Sequence, residues 1–221
     1  MSTEPFEYNS FESVITDKLF AKIDASLRRG CHFDTENINE FNYIQDTHAV
    51  LAAFYKQFNA ELIYANEGYY YLIPKDNQFI RSKKIELTTM VIGQVLAMMK
   101  LDPEILKESG WIRTEQIADK MMMLLSPEKI SKLFSRSLNT DLDKNKLLDE
   151  IRTGLRQLKR MGMLVLDSKT VTRVRLRVSI MRFADPVRGL ENPLESQKAL
   201  IKKGYIETDS EIKADEKKYR T

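Results

Sequence analysis

Apolar residues fall at helical spacing over residues 17–29, where Leu19, Phe20, Ile23 and Leu27 share one face. Asp17 stands at the N-cap position of that stretch and Gly30 follows as a stop. A second amphipathic stretch, residues 44–58, sets Val50, Leu51, Phe54, Tyr55 and Phe58 on one side. The period then changes from helical to alternating: residues 61–64 read as a strand, 65–68 as a turn, and 69–73 as a returning strand closed by Pro74. Helices followed by a hairpin give a winged-helix order.

That order recurs after a polar connection, residues 75–84, taken as a domain boundary. An apolar helix over 86–101 comes first, then a short strand at 111–113. Thr114 is placed to cap a helix over 115–125, and Pro127 opens a shorter helix over 126–135. A long helix over 143–161 stops at Gly162, and residues 163–166 and 171–180, joined by a turn at 167–170, form a second hairpin. The expected fold class is therefore mainly α with small β-hairpin wings (α+β), as tandem winged-helix domains. The boundaries are residues 1–80, 81–185, and a C-terminal helical segment with a flexible tail at 186–221. That last segment has a weak helical pattern over 194–201 and ends in alternating charges without apolar spacing.

Composition narrows the class. A chain of 221 residues that is 43% hydrophobic and 30% charged can bury a real core. No run approaches the roughly 18 consecutive apolar residues of a membrane span, so a cytoplasmic protein is expected. The lone Cys31 offers no internal disulfide and no thiolate cluster. The net charge of +3 conceals an uneven distribution: residues 1–64 hold 5 Lys and Arg against 10 Asp and Glu, whereas residues 144–188 hold 12 against 4.

The basic excess has a helical pattern. In the helix over 143–161, Leu147, Leu148, Ile151, Leu155 and Leu158 occupy one face, while Arg152, Arg156, Lys159 and Arg160 share a stripe on the other, extended upstream by Lys146. Such a stripe suits the phosphates of a nucleic acid, and it equally suits a solvated helix face. Arg173, Arg175 and Arg177 alternate with Val174, Leu176 and Val178, which on a strand puts three guanidinium groups on one face. Of the run Tyr69, Tyr70 and Tyr71, two are expected in the first core and Tyr70 on a protein-contact surface. Met90, Met98, Met99 and Met121–Met123 are read chiefly as adaptable core.

Enzymatic constellations are thin. His32 and His48 lack metal-ligand spacing, no phosphate-binding loop or nucleophile elbow occurs, and Asp141 and Asp143 suit the start of the basic helix better than acid–base chemistry. No catalytic residue, metal or cofactor is assigned.

Four segments carry a family resemblance: residues 19–33 (LFAKIDASLRRGCHF), 58–74 (FNAELIYANEGYYYLIP), 141–164 (DLDKNKLLDEIRTGLRQLKRMGML) and 181–189 (MRFADPVRG). In this order they resemble MukE proteins, the accessory subunits of the MukBEF condensin family, and the resemblance extends to the related MksBEF and Wadjet-type systems. It implies a non-enzymatic, usually dimeric tandem winged-helix protein of the nucleoid. Such a protein binds a MukF-like kleisin and, through it, a MukB-like SMC ATPase. It also implies contact with double-stranded DNA through basic residues of the second module. The matching positions are Arg136, Lys146, Arg152, Lys159 and Arg160, with Arg156 on the same stripe. A stand-alone winged-helix transcription regulator is the alternative from another class.

Overall fold

Side-chain caps mark where the first helices begin. In the computed structural model, which describes residues 10–81, 84–102, 110–134 and 141–187, the Ser10 hydroxyl accepts from the Ser13 N–H at 3.2 Å to start α1 (Phe11–Thr16). Asp17 accepts from the Leu19 N–H at 2.7 Å to start α2 (Lys18–Arg28). Gly30, with φ +78°, closes the C-terminal turn of α2. The chain divides into two compact units, Met1–Lys84 and Ile85–Thr221.

The first unit continues with β1 (Phe33–Asp34), a 3-10 turn, α3 (Ile38–Asp46), α4 (His48–Lys56), β2 (Ala60–Ala65) and β3 (Tyr69–Pro74). The stretch 44–58, expected as one helix, is instead the end of α3 and all of α4. They part at Thr47, whose hydroxyl donates to the Tyr43 carbonyl at 2.6 Å and so competes with the helical ladder. The sheet order is β1-β3-β2, antiparallel throughout, which makes β3 the central strand.

That central position overturns the expectation for Tyr70. It is 5% exposed and belongs to the first core, with its ring centroid 5.2 Å from Phe41, 5.7 Å from His48 and 4.7 Å from Tyr64. Tyr69 and Tyr71 are buried on the other face, beside His32. The exposed tyrosine is its cross-strand partner Tyr64, on the edge strand β2.

The second unit contains α5 (Leu87–Lys100), β4 (Trp111–Arg113), α6 (Thr114–Leu124), α7 (Pro127–Phe134), α8 (Asp141–Arg160), β5 (Leu164–Leu166), β6 (Arg173–Leu176) and a 3-10 segment (Val178–Val187). Its sheet order is β4-β6-β5, again antiparallel. Residues 188–221, including the helical pattern and tail expected there, lie outside the described residues. Thr114 does not cap α6. It is the first helical residue, fully buried, and its hydroxyl donates to the Val171 carbonyl at 2.7 Å. Met98, Met99 and Met121 are buried as expected, whereas Met123 is exposed.

The core of this unit forms where α5 and α8 meet. Ile92, Val95 and Leu96 of α5 cluster with Leu147, Ile151, Leu155 and Leu158 of α8 and with Val174 and Leu176 of β6. Burying each such side chain stabilises the fold by about 1.5–3 kcal/mol. Gly154 faces the Ile92 and Thr89 side of α5, and the Thr89 hydroxyl meets Gln157 Oε1 at 2.9 Å. Further along α5, Gly93 gives room to the Phe183 ring of the 3-10 segment.

Gly162, with φ +74°, ends α8 and turns the chain into β5. The returning strand is shorter than the expected 171–180. Val171 has φ +57°, which a β-branched residue in a strand cannot hold, so the strand starts only at Arg173 and ends at Leu176. The strain at Val171 costs about 1–3 kcal/mol, and complete burial of its side chain offsets it. Asp167 organises the turn. Its carboxylate accepts from the Thr172 hydroxyl, from the Ser168 hydroxyl at 3.1 Å and from the Thr172 N–H at 3.2 Å. The Thr172 hydroxyl bond is the main reason that its carboxyl is held well below the usual carboxylate range.

Two outcomes follow from this packing. A methyl group on Gly93 would lie 2.6 Å from the Phe183 ring, whereas one on Gly154 would meet mainly the movable Cδ1 of Ile92. Gly93→Ala is therefore expected to lower stability by about 1–2 kcal/mol, overpacking outweighing the gain in helix propensity. Gly154→Ala should change it by less than about 1 kcal/mol; urea unfolding of the two variants checks the contrast. Because the Asp167 carboxyl is depressed in the folded state, its contribution is present above the ordinary carboxylate pKa and lost as pH falls through the folded value. Asp167→Asn should lower the thermal midpoint at pH 7, and the gap to wild type should narrow as pH falls below about 4.

Candidate nucleic-acid interface

The geometry of α8 follows from its two faces. With Leu147, Ile151, Gly154, Leu155 and Leu158 buried, the opposite side of the helix must face outward. Arg156, Lys159 and Arg160 are exposed there, within about one and a half turns. Arg160 Nε donates to the Arg156 carbonyl at 3.4 Å. Arg156 Nη2 donates to the Lys169 carbonyl at 3.3 Å, which ties the β5–β6 turn to the helix.

The remaining stripe residues differ. Arg152 is half-buried: its Nη1 donates to Asp149 Oδ1 at 2.9 Å, and its buried Nε has no hydrogen-bond partner among the described residues. Lys146 is also half-buried, one turn or more upstream. Arg136 and the side chains of Asp141 and Asp143 lie outside the described residues.

Concentrating cations on one face carries an electrostatic cost. Arg152 with Arg156, Arg156 with Arg160 and Arg156 with Lys159 are like-charge neighbours at i+4 or i+3, each destabilising by about 0.2–0.5 kcal/mol. Lys159 and Arg160 stand in the last turn, where the helix dipole favours a cation by about 0.3–1 kcal/mol each. The two effects nearly cancel, so the exposed charge sits there with little net loss of stability.

The hairpin arginines do not form the expected single row. Arg173 is exposed, with Nε 3.6 Å from Asp167 Oδ2, and Arg175 is half-exposed on the same strand face. Arg177 lies beyond the end of β6, only 9% exposed, its N–H donating to the Met163 carbonyl at 3.1 Å. Lys169 has no periodic signal in the sequence, and only the turn geometry brings its backbone against Arg156.

In the first unit the notable surface is aromatic. Phe11, Phe54, Phe58 and Phe79 form a chain of ring contacts at 5.5, 5.0 and 6.4 Å, and Arg28 stands 4.5 Å above the Phe58 ring. Phe11 and Phe79 remain 46% and 57% exposed. Tyr55 donates to Asp24 Oδ1 at 3.1 Å, and burial first, then this carboxylate, pushes its phenol up. Among the described residues no cluster of His, Cys, Asp and Glu could hold a metal ion. No described helix is long and apolar enough to cross a membrane.

A family model described as the MukE-like family matches residues 9–220. The chromosome partition protein MukE of Haemophilus influenzae is 33% identical over 200 residues, covering 90% of this chain and 82% of that protein. The protein of the same name from Vibrio parahaemolyticus is 32% identical, covering 89% of this chain and 84% of its own length. The one from Escherichia coli O157:H7 is 31% identical, covering 86% and 85%. A match that spans nearly the whole chain, joining the acidic first unit to the basic second, leaves one conclusion: this chain belongs to the MukE-like family.

Proposed function

We propose that this chain is a non-enzymatic accessory subunit of a bacterial SMC complex, acting at the nucleoid in chromosome partition, the process that the names of its relatives give for them. In this reading both units are winged-helix domains. Each has helices leading into a three-stranded antiparallel sheet whose last strand is central, which supports the assignment. A kleisin docks on apolar and aromatic surface, for which the exposed Phe11 and Phe79 of the first unit are suited, and links the chain, as a homodimer, to the SMC ATPase.

The second unit contacts duplex DNA without reading its sequence. The observation that carries this is the exposed trio Arg156, Lys159 and Arg160, directed outward by a helix whose opposite face is locked in the core. Cations so placed meet phosphates and displace their counterions, and contacts to phosphate carry no sequence information. Lys146, Arg152 and Arg136 extend the same contact.

In the reconstituted complex with kleisin and ATPase, R156E/K159E/R160E is expected to weaken binding to a labelled duplex at least tenfold. The slope of log affinity against log salt should become shallower by about 2–3, roughly 0.9 for each phosphate that is no longer neutralised. Kleisin binding, followed by size-exclusion chromatography, should survive. Unchanged DNA binding would make the stripe a solvated face. Nanomolar, sequence-dependent binding by the free chain would point to a transcription regulator instead.

A further inference from the structure

The outer face of the second sheet carries a second set of cations that the sequence pattern alone does not assemble. In β6, Val174 and Leu176 point into the core, so Arg173 and Arg175 stand on the opposite face. In β4, Ile112 is buried, which leaves Trp111 and Arg113 on that same outer face. The antiparallel register sets Arg113 directly opposite Arg173, and Trp111 opposite Arg175. Arg173 and Arg175 are about 7 Å apart along the strand, and Arg113 is about 5 Å across from Arg173 at the Cα atoms.

Like charges directly opposite one another on a sheet repel. Asp167 relieves Arg173 in part, at 3.6 Å, and none of the described carboxylates forms an ion pair with Arg113. A sheet face so built is suited to an external anion. Its chemistry is further limited by Trp111, because the Arg173 guanidinium lies 5.8 Å from the indole ring. A ring occupied by a cation is poorly placed to stack an unpaired base, so backbone phosphate is the favoured ligand. The face is tied to the basic helix through the turn, where Arg156 bonds the Lys169 carbonyl.

We propose that Arg113, Arg173 and Arg175, arranged around Trp111, form a second contact for the backbone of duplex DNA, continuing the footprint of α8 past the Lys169 turn. This rests on the reading of α8 as a duplex-binding helix and adds residues from two neighbouring strands on one face of the sheet.

Trp111 is the chain's single tryptophan, so its emission reports on this face. The full-length chain is titrated with a 30-base-pair duplex at low salt, and the complex with kleisin and ATPase is assayed with a labelled duplex of the same sequence. The test variant R113Q/R175Q leaves Arg173 on the indole, and R113K/R175K restores charge should the first variant fold poorly by circular dichroism. Wild type is expected to show a saturable change in Trp111 emission that salt reverses. R113Q/R175Q should weaken duplex binding about fivefold to tenfold and lower the salt slope by nearly 2. R113K/R175K should recover most of the affinity, and R156E/K159E/R160E should keep a smaller emission change.

Duplex binding with no change in Trp111 emission, or an unaltered salt slope in R113Q/R175Q, overturns the proposal and leaves the helix reading intact. A loss of kleisin or ATPase assembly in place of DNA binding overturns it too, by making the face a protein contact. If R113Q/R175Q loses DNA while R156E/K159E/R160E does not, the sheet face stands and the helix reading fails.

Discussion

The close approach of α5 and α8 is the constraint from which the second unit follows. The helices meet where Gly154 faces Ile92 and Thr89, and the Thr89–Gln157 bond satisfies a buried hydroxyl at the crossing. Once Leu147, Ile151, Leu155 and Leu158 are committed to that seam, α8 cannot rotate without exposing them. Its cations are thereby directed outward as a consequence of packing. Gly162 then ends the helix at a defined residue, which sets where the hairpin starts and brings Lys169 back to Arg156.

Charge in this unit is organised around that seam and contributes little to holding it together. Exposed like-charge neighbours cost tenths of a kcal/mol each and are screened by salt, whereas the buried leucines contribute several times more. A protein can therefore carry a concentrated basic face at little cost to its stability. Arg152 illustrates the other course: paired with Asp149 and drawn against the helix, it has part of its charge compensated within the chain.

The first unit is built from aromatic residues where the second uses leucine and methionine. Its central strand packs tyrosines on both faces, Tyr70 against Phe41 and His48, and Tyr69 and Tyr71 against His32. The edge strand bears the exposed Tyr64, and the phenylalanine chain from Phe11 to Phe79 runs over α4. Acidic composition and an aromatic surface set this unit apart from the basic one.

Sequence by itself determined the order of the elements, the faces of α8 and the stops at Gly30 and Gly162, because those depend on local periodicity and on backbone angles that glycine adopts freely. It did not determine the shortening of the last strand at Val171, the burial of Tyr70 or the removal of Arg177 from the arginine row, each of which involves a partner distant in the chain. The break at Thr47 is local, a hydroxyl bonded four residues back, but periodicity does not reveal it. A strand's alternation shows which residues share a face, but whether a sheet face is covered depends on which strand is central, and that is decided by pairing. For the same reason the meeting of Arg113 with Arg173, sixty residues away, has no signature along the chain. It arises only when β4 joins β6, and the register of that pairing is a property of the tertiary structure.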